Sequence, residues 1–320
     1  MDDILYATPD NPVPGNHIAG YFEGNGGVKI RYAVFRSAMP VAKGTVVLLQ
    51  GRNESIEKYF ETIADLTAHG LWVATFDWRG QGGSGRMLSD PRRGHVTRFS
   101  DYEADLKQFL EQVVLPDTRL PFFLVAHSMG ALVALSQAPE LESRIDRMVL
   151  AAPFLALSGQ ALSQRSISVI ANTASFFQLG GRTFRKDGTR PSFEGNVLTS
   201  DRRRFARNQA ICDAQPQLAI GSPTARWLKE MLAAITRVSR QEHLTRIRIP
   251  TLVLCPTLDP IVPRTVLNGL ARKFRAGRLI EIDGARHELF HEADRYRAQA
   301  MAAIDAFIPG SQAERTALGA

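Results

Sequence analysis

Apolar residues follow two rhythms along this chain. Short, predominantly apolar runs recur at TVVLLQ (45–50), LWVATFDW (71–78), FFLVA (122–126), RMVLAAP (147–153), TLVLCP (251–256) and RLIEID (278–283). Runs of that length without polar alternation predict parallel strands buried on both faces. Between them, apolar residues recur three and four apart: Ile56, Tyr59, Phe60, Ile63 and Leu66, closed by Gly70; Leu106, Phe109, Leu110 and Val113; Val266, Leu267, Leu270 and Phe274; Tyr296, Ala300, Ile304 and Phe307. These spacings predict helices, the second opened by a Ser100/Glu103 capping box. Residues 18–35 alternate around Gly24-Asn25-Gly26-Gly27 and predict an opening hairpin.

Strands alternating with helices through short connections predict an α/β fold, a mostly parallel sheet covered by helices on both faces. The alternation stops between about 155 and 245. There, residues 167–177 and a stretch opened by Ser222-Pro223, with Trp227, Leu228, Met231, Leu232, Ile235 and Val238 on one face, predict helices of another kind. The expected organisation is one core, residues 1–154 and 246–320, carrying a helical cap inserted at 155–245. The 320 residues suit one large α/β unit with such an insertion.

Composition changes this picture little. Hydrophobic content of 44% and charged content of 22% are ordinary for a globular chain. The two cysteines, Cys212 and Cys255, are too few and too far apart for a disulfide framework or a metal cluster. The acidic opening MDDILYATPDNPVPG does not look like a signal peptide, and no run approaches the roughly 18–20 apolar residues that span a bilayer, so a cytoplasmic location is expected. Net charge is +7, and residues 181–209 carry eight Arg/Lys against three Asp/Glu. No groove-reading helix or aromatic base platform accompanies that charge, so nucleic acid is not an expected partner. An anionic substrate, an anionic membrane surface or a solvated basic face each fit it.

The chemistry is concentrated in FFLVAHSMGALVAL, residues 122–135. A buried strand stops at Ser128, which has Ala126 and Gly130 two positions to either side, and a helical pattern follows. That is the local shape of a nucleophile elbow, where small neighbours let strand and helix approach around a strained turn. A serine nucleophile needs a base and the base an orienting acid, in the chain order Ser, Asp/Glu, His. Asp259, just past the strand 251–256, is preferred as acid over Asp283. His287, just past the strand 278–283, is preferred as base. Among seven histidines, His95 is the hardest competitor to set aside. The developing oxyanion needs amide donors, expected from Met129, after the nucleophile, and from Arg52, where Gly51 permits the turn after the strand 45–50. The segment FDWRGQGGSGR, residues 76–86, lacks the ending of a phosphate-binding loop; Asp77 and Arg79 are expected to brace a turn there.

Taken together, Gly51-Arg52-Asn53-Glu54-Ser55, Asp77-Trp78-Arg79-Gly80-Gln81-Gly82-Gly83-Ser84-Gly85, Ala126-His127-Ser128-Met129-Gly130, residues 196–201 (NVLTSD), Asp259 and His287-Glu288 resemble the α/β-hydrolase superfamily. The likeness is to its lysophospholipase and monoacylglycerol-lipase-like branch, related to serine aminopeptidase-type hydrolases. It covers most of residues 20–308 and is weakest in the cap. It implies a Ser128–His287–Asp259 triad, an oxyanion hole from the Arg52 and Met129 amides, and no cofactor. Dehalogenases and epoxide hydrolases carry aspartate at the elbow, and Ser128 argues against both.

The expected activity is hydrolysis of carboxylic esters through an acyl-enzyme, on lysolipid or monoacylglycerol-like substrates. Phe176 and Phe177 in the cap are candidate acyl-chain contacts, with peripheral membrane contact as an alternative use. Arg203 and Arg207, within the basic cluster Arg202, Arg203, Arg204 and Arg207, are candidate head-group contacts. A broad esterase for short acyl chains or polyester oligomers is the competing enzymatic reading. A non-catalytic binding protein on a hydrolase scaffold is the competing reading outside enzymes.

Overall fold

The computed structural model describes residues 4–157, 170, 171, 173, 179–183 and 192–308. Eight strands form one sheet in the order β1-β2-β4-β3-β5-β6-β7-β8. They are β1 (His17–Gly24), β2 (Val28–Phe35), β3 (Gly44–Leu49), β4 (Leu71–Phe76), β5 (Phe122–His127), β6 (Arg147–Ala151), β7 (Thr251–Pro256) and β8 (Gly277–Ile282). β1 and β2 pair antiparallel, as do β2 and β4, while every pairing from β4 through β8 is parallel. The first turn depends on Gly26 and Gly27, whose φ angles of 71° and 76° lie where a side chain is disfavoured.

The apolar runs have a direct cause in the two faces of this sheet. In β3, Val47 and Leu49 face one core while Val46 and Leu48 face the other. In β5, Leu124 and Ala126 take the first face and Phe123 and Val125 the second. Period-2 geometry with both faces buried leaves little room for polar residues in the central strands; β8, at the sheet edge, departs from the expected double burial, with Arg278 and Ile280 exposed. On the first face lie the helices Phe99–Phe109, Ser128–Leu141, Ala225–Val238 and Arg264–Ala271; on the second lie Phe60–Ala68 and Asp294–Phe307.

Two helix starts differ from the sequence expectation. The Phe99–Phe109 helix is capped at Arg98, whose amide donates to Asp101 Oδ2 at 3.0 Å, not at Ser100. Phe99 is buried, so its burial draws the helix start back ahead of the exposed Ser100. Glu103 accepts instead from Ser136 Oγ at 2.5 Å. The Ala225–Val238 helix is capped by Thr224, whose hydroxyl accepts from the Trp227 amide at 3.2 Å, so Ser222-Pro223 precede it rather than open it.

Between β6 and β7 the described residues hold the helices Arg202–Ala214 and Ala225–Val238. The second buries Trp227, Met231, Leu232, Ala234, Ile235 and Val238 in the same cluster as the elbow helix Ser128–Leu141. Among the described residues, no helix is long and apolar enough to cross a membrane.

Candidate active site

Parallel strands deliver their carboxyl ends to one edge of a sheet, and ligands of open α/β folds bind there. Register fixes what meets at that edge. Leu49 of β3 lies opposite Ala126 of β5, so the loop at 51–54 and the turn at 127–129 emerge side by side. Asp259 follows the end of β7 and His287 follows β8.

The turn after β5 is strained in the manner its sequence predicts. Ser128 has a φ of 50°, a left-handed conformation that a non-glycine residue adopts at a cost. Gly130 permits the close approach of the elbow helix to β3. A Cβ there would sit 2.5 Å from the Gln50 carbonyl oxygen and 2.7 Å from that of Leu49. Gly130→Ala would push helix and strand apart at the serine itself.

Ser128, His287 and Asp259 form one chain of hydrogen bonds. His287 Nε2 lies 2.9 Å from Ser128 Oγ, and His287 Nδ1 lies 2.7 Å from Asp259 Oδ2. The other carboxylate oxygen, Asp259 Oδ1, accepts the amides of Ile261 at 2.7 Å and Val262 at 3.1 Å. The carboxylate is thereby oriented from behind, and the imidazole from one side, toward a serine that is buried but for a small opening. This is the geometry by which a hydroxyl passes its proton to a base while the base is held in the required tautomer.

The competing histidines are engaged elsewhere. His95 Nδ1 lies 2.9 Å from Thr224 Oγ1, His69 pairs with Asp305, and His243 bonds the Leu135 carbonyl. Asp283 accepts from Thr257 Oγ1 at 2.9 Å. His127 is buried with its ring 4.9 Å from that of His287.

A profile described as "Serine aminopeptidase, S33" matches residues 40–294. The chain belongs to this family of α/β-hydrolases. It is 31% identical over 294 residues to lysophospholipase L2 of Escherichia coli (strain K12), covering 88% of this chain and 85% of that protein. The probable lysophospholipase L2 of Haemophilus influenzae is 29% identical over 292 residues, covering 90% and 91%. A soluble variant of monoglyceride lipase from Saccharomyces cerevisiae, solved with a substrate analogue, aligns with a TM-score of 0.75 at 20% identity, covering 95% and 97%. That last likeness speaks for the fold. The lysophospholipase and monoacylglycerol-lipase-like branch expected from the motifs is the one these relatives occupy.

Residues to which the sequence assigned no role surround Ser128, His287 and Asp259. Glu54 Oε2 accepts the Gly51 amide and, at 2.7 Å, the Tyr59 hydroxyl. Lys58 Nζ donates to Glu54 Oε1 and to Glu288 Oε1, each at 2.7 Å. One half-buried ammonium therefore ties the loop after β3 to the residue beside His287. Burial alone would raise the Glu54 carboxyl. Lys58 and His127 outweigh it and hold that carboxyl at about 2. A Cβ on Gly51 would meet Glu54 Oε2 at 2.7 Å and His127 at 3.0 Å, so Gly51 is required by this packing.

The turn at 77–85 is braced as expected. Asp77 accepts from Arg31, from the Gly83 amide at 2.6 Å and from the Ile56 amide at 3.0 Å, while Arg79 pairs with Asp105.

The basic cluster is placed differently from a displayed patch. Arg204 is buried and pairs with Glu61, Asp201 and Asp294, and Arg207 pairs with Glu61 at 2.7 Å. Both hold the Arg202–Ala214 helix to the core. Arg203 is exposed. Phe176 and Phe177 lie outside the described residues.

Two buried histidines set an acid limit on stability. Burial pushes the His127 imidazole down to about 4, opposed by Glu54 and assisted by His287 and Lys58. Burial, with Lys58 and Arg207, pushes His291 well below its ordinary value. Unfolded, both protonate near pH 6.5. Below that value the unfolded chain binds more protons than the folded one, so stability falls as pH drops from about 6.5 toward 4. For His127 the loss is about 2 kcal/mol by pH 5. Urea midpoints at pH 7.5 and pH 5 should show the decline. His291→Phe should flatten it, since neither ring nitrogen of His291 has a hydrogen-bond partner among the described residues. An unchanged slope in the variant would count against this account.

Proposed function

We propose that Ser128, His287 and Asp259 are the catalytic triad of a serine ester hydrolase acting on lysophospholipids or monoacylglycerols. The observation that carries this reading is the unbroken chain from Ser128 Oγ through His287 to Asp259 Oδ2. The protein is a carboxylic ester hydrolase of the lysophospholipase and monoacylglycerol-lipase type. His287 Nε2 takes the Ser128 proton as Oγ attacks the ester carbonyl, and a tetrahedral oxyanion forms. The amides of Met129 and Arg52 donate to that oxygen. His287 returns the proton to the departing glycerol oxygen, leaving an acyl-enzyme. Water, deprotonated by His287, then releases the fatty acid and restores Ser128. Asp259 stabilises the imidazolium in both halves.

The inserted segment 155–245 serves as the cap that shapes the acyl site, with Phe176 and Phe177 as chain contacts. Exposed Arg203 is the head-group contact of the basic cluster. Lysophospholipase naming of the relatives that cover most of this chain supports the lipid assignment.

A fluorophosphonate probe should label the intact protein on the peptide containing Ser128, and a panel of esters should be hydrolysed fastest at long monoacyl chains. Lysophospholipid should exceed a monoacylglycerol of equal chain length, and Arg203→Ala should erase that difference. Absence of labelling would overturn the triad. A maximum at short chains would overturn the lipid assignment in favour of a broad esterase. Equal lysophospholipid and monoacylglycerol rates in both forms would remove Arg203.

A further inference from the structure

The loop at 51–54 is gripped from two directions, and only one of them is explained by the core. From the core side, Glu54 accepts the Gly51 amide, and the Asn53 amide donates to Gln81 Oε1 at 2.7 Å. The side chains of Arg52 and Asn53 reach the other way, to the inserted segment. Arg52 Nη2 donates to the Gly221 carbonyl, and its guanidinium lies 5.2 Å from the centre of the Trp227 ring. Asn53 Oδ1 accepts the Ile220 amide at 2.8 Å. Asn53 has a φ of 60°, so the loop turns sharply between these two anchors.

The segment they hold is itself fastened along one edge. Gly221 N donates to the Arg92 carbonyl at 2.6 Å, Gly94 N to Ser222 at 3.3 Å, and Thr224 N to Gly94 at 3.0 Å. Ile220 and Trp227 are buried. Space around the Arg52 head is tight, since a Cβ on Gly94 would lie 2.5 Å from Arg52 Nη2.

We infer that Arg52 and Asn53 are positioning residues whose side chains lock the inserted segment at 220–227 onto the oxyanion loop, so that the Arg52 amide is aimed only while that segment is seated. The inference rests on the serine-hydrolase reading above. Two consecutive residues anchored to consecutive carbonyl and amide groups of one segment fix the loop in rotation as well as translation. Misplacement of a donor by about 1 Å is worth as much as 10²-fold in rate. Because the donor is a backbone amide, the side chain can be changed while the donor stays.

Three variants test this against the wild type on one chromogenic ester. Arg52→Met keeps the amide and the stem but loses the bond to Gly221. Asn53→Gly keeps the left-handed turn but loses the bond to Ile220. Gly94→Ala leaves both side chains and intrudes on Arg52 from the core loop. Each is expected to lower kcat by about tenfold or more with KM within about twofold, and to slow fluorophosphonate labelling in the same proportion. Arg52→Lys should recover part of the loss. Urea midpoints identify any variant that fails to fold, and Gly94→Ala then carries the test. Unchanged kcat, or a rise in KM alone, would overturn the inference while a labelled wild type leaves the triad standing. A wild type that does not label at Ser128 would overturn both.

Discussion

Ser128→Ala should lower kcat by about 10⁶-fold, and Asp259→Asn by about 10⁴-fold, with both proteins folded. The second figure follows from the groups behind the carboxylate. Asp259 Oδ1 accepts two amides, from Ile261 and Val262, while Oδ2 faces His287 Nδ1. Asparagine must keep its carbonyl oxygen toward the two N–H donors, which turns its NH₂ toward the imidazole. His287 Nδ1 then has to accept, its proton moves to Nε2, and the nitrogen facing Ser128 can no longer take a proton. The shape of the site is preserved and its tautomer is wrong. A member of a triad works only through the others, so Ser128→Ala/Asp259→Asn should be no slower than Ser128→Ala alone. Single-turnover assays with a p-nitrophenyl ester measure all three. Asp259→Asn within tenfold of wild type would remove Asp259 from its assigned role, and a further loss in the double variant would deny that the residues act as a unit.

What the chain discloses unaided and what it conceals divide along a physical line. The central strands were legible because burial on both faces disfavours polar residues, and β7 spans 251–256 as its apolar run predicts; β8, at the edge, is only partly buried. Ser128, Asp259 and His287 were legible as candidates because each lies at or shortly past the carboxyl end of a strand. Glu54, Lys58 and Glu288 were not. The spacing of Glu54 and Lys58 reads as an ordinary helix-surface pair, and only folding brings Glu288 to the same ammonium from 230 residues away. Arg204 and Arg207 misled for the same reason, since their partners Glu61 and Asp294 belong to helices distant in sequence. Helix starts shifted by one or two residues because a buried Phe99 and a capping Thr224 outweigh the local signals at Ser100 and Ser222. Charge pairing and capping are tertiary decisions, and a single sequence records the partners without the pairing.

Arg31→Met should lower the free energy of unfolding by about 3–5 kcal/mol at pH 7. Arg31 is 1% exposed, and its guanidinium meets Glu57 Oε1 at 2.7 Å, Glu57 Oε2 at 2.8 Å and Asp77 Oδ2 at 2.7 Å, with both carboxylates fully buried. Methionine fills much of the volume but leaves two carboxylates facing each other without a cation. Burial already raises the Asp77 carboxyl, with Arg31 as the chief opposing influence, so loss of Arg31 raises Asp77 further. A carboxyl whose folded pKa stands above its unfolded one contributes its full stability below the unfolded value and loses it as pH rises through the folded one. The deficit of Arg31→Met relative to wild type should therefore shrink as pH falls toward 4. Adding Glu57→Gln should recover part of it at pH 7 by removing one of the stranded charges. Asp77 also holds the Gly83 and Ile56 amides, and Gln81 beside Gly83 accepts the Asn53 amide of the loop at 51–54, so a modest fall in kcat should accompany the stability loss. Urea midpoints across pH 5 to 8 decide the matter. A variant as stable as wild type, or a deficit that grows as the pH falls, would mean that the buried arginine is not what compensates these two carboxylates.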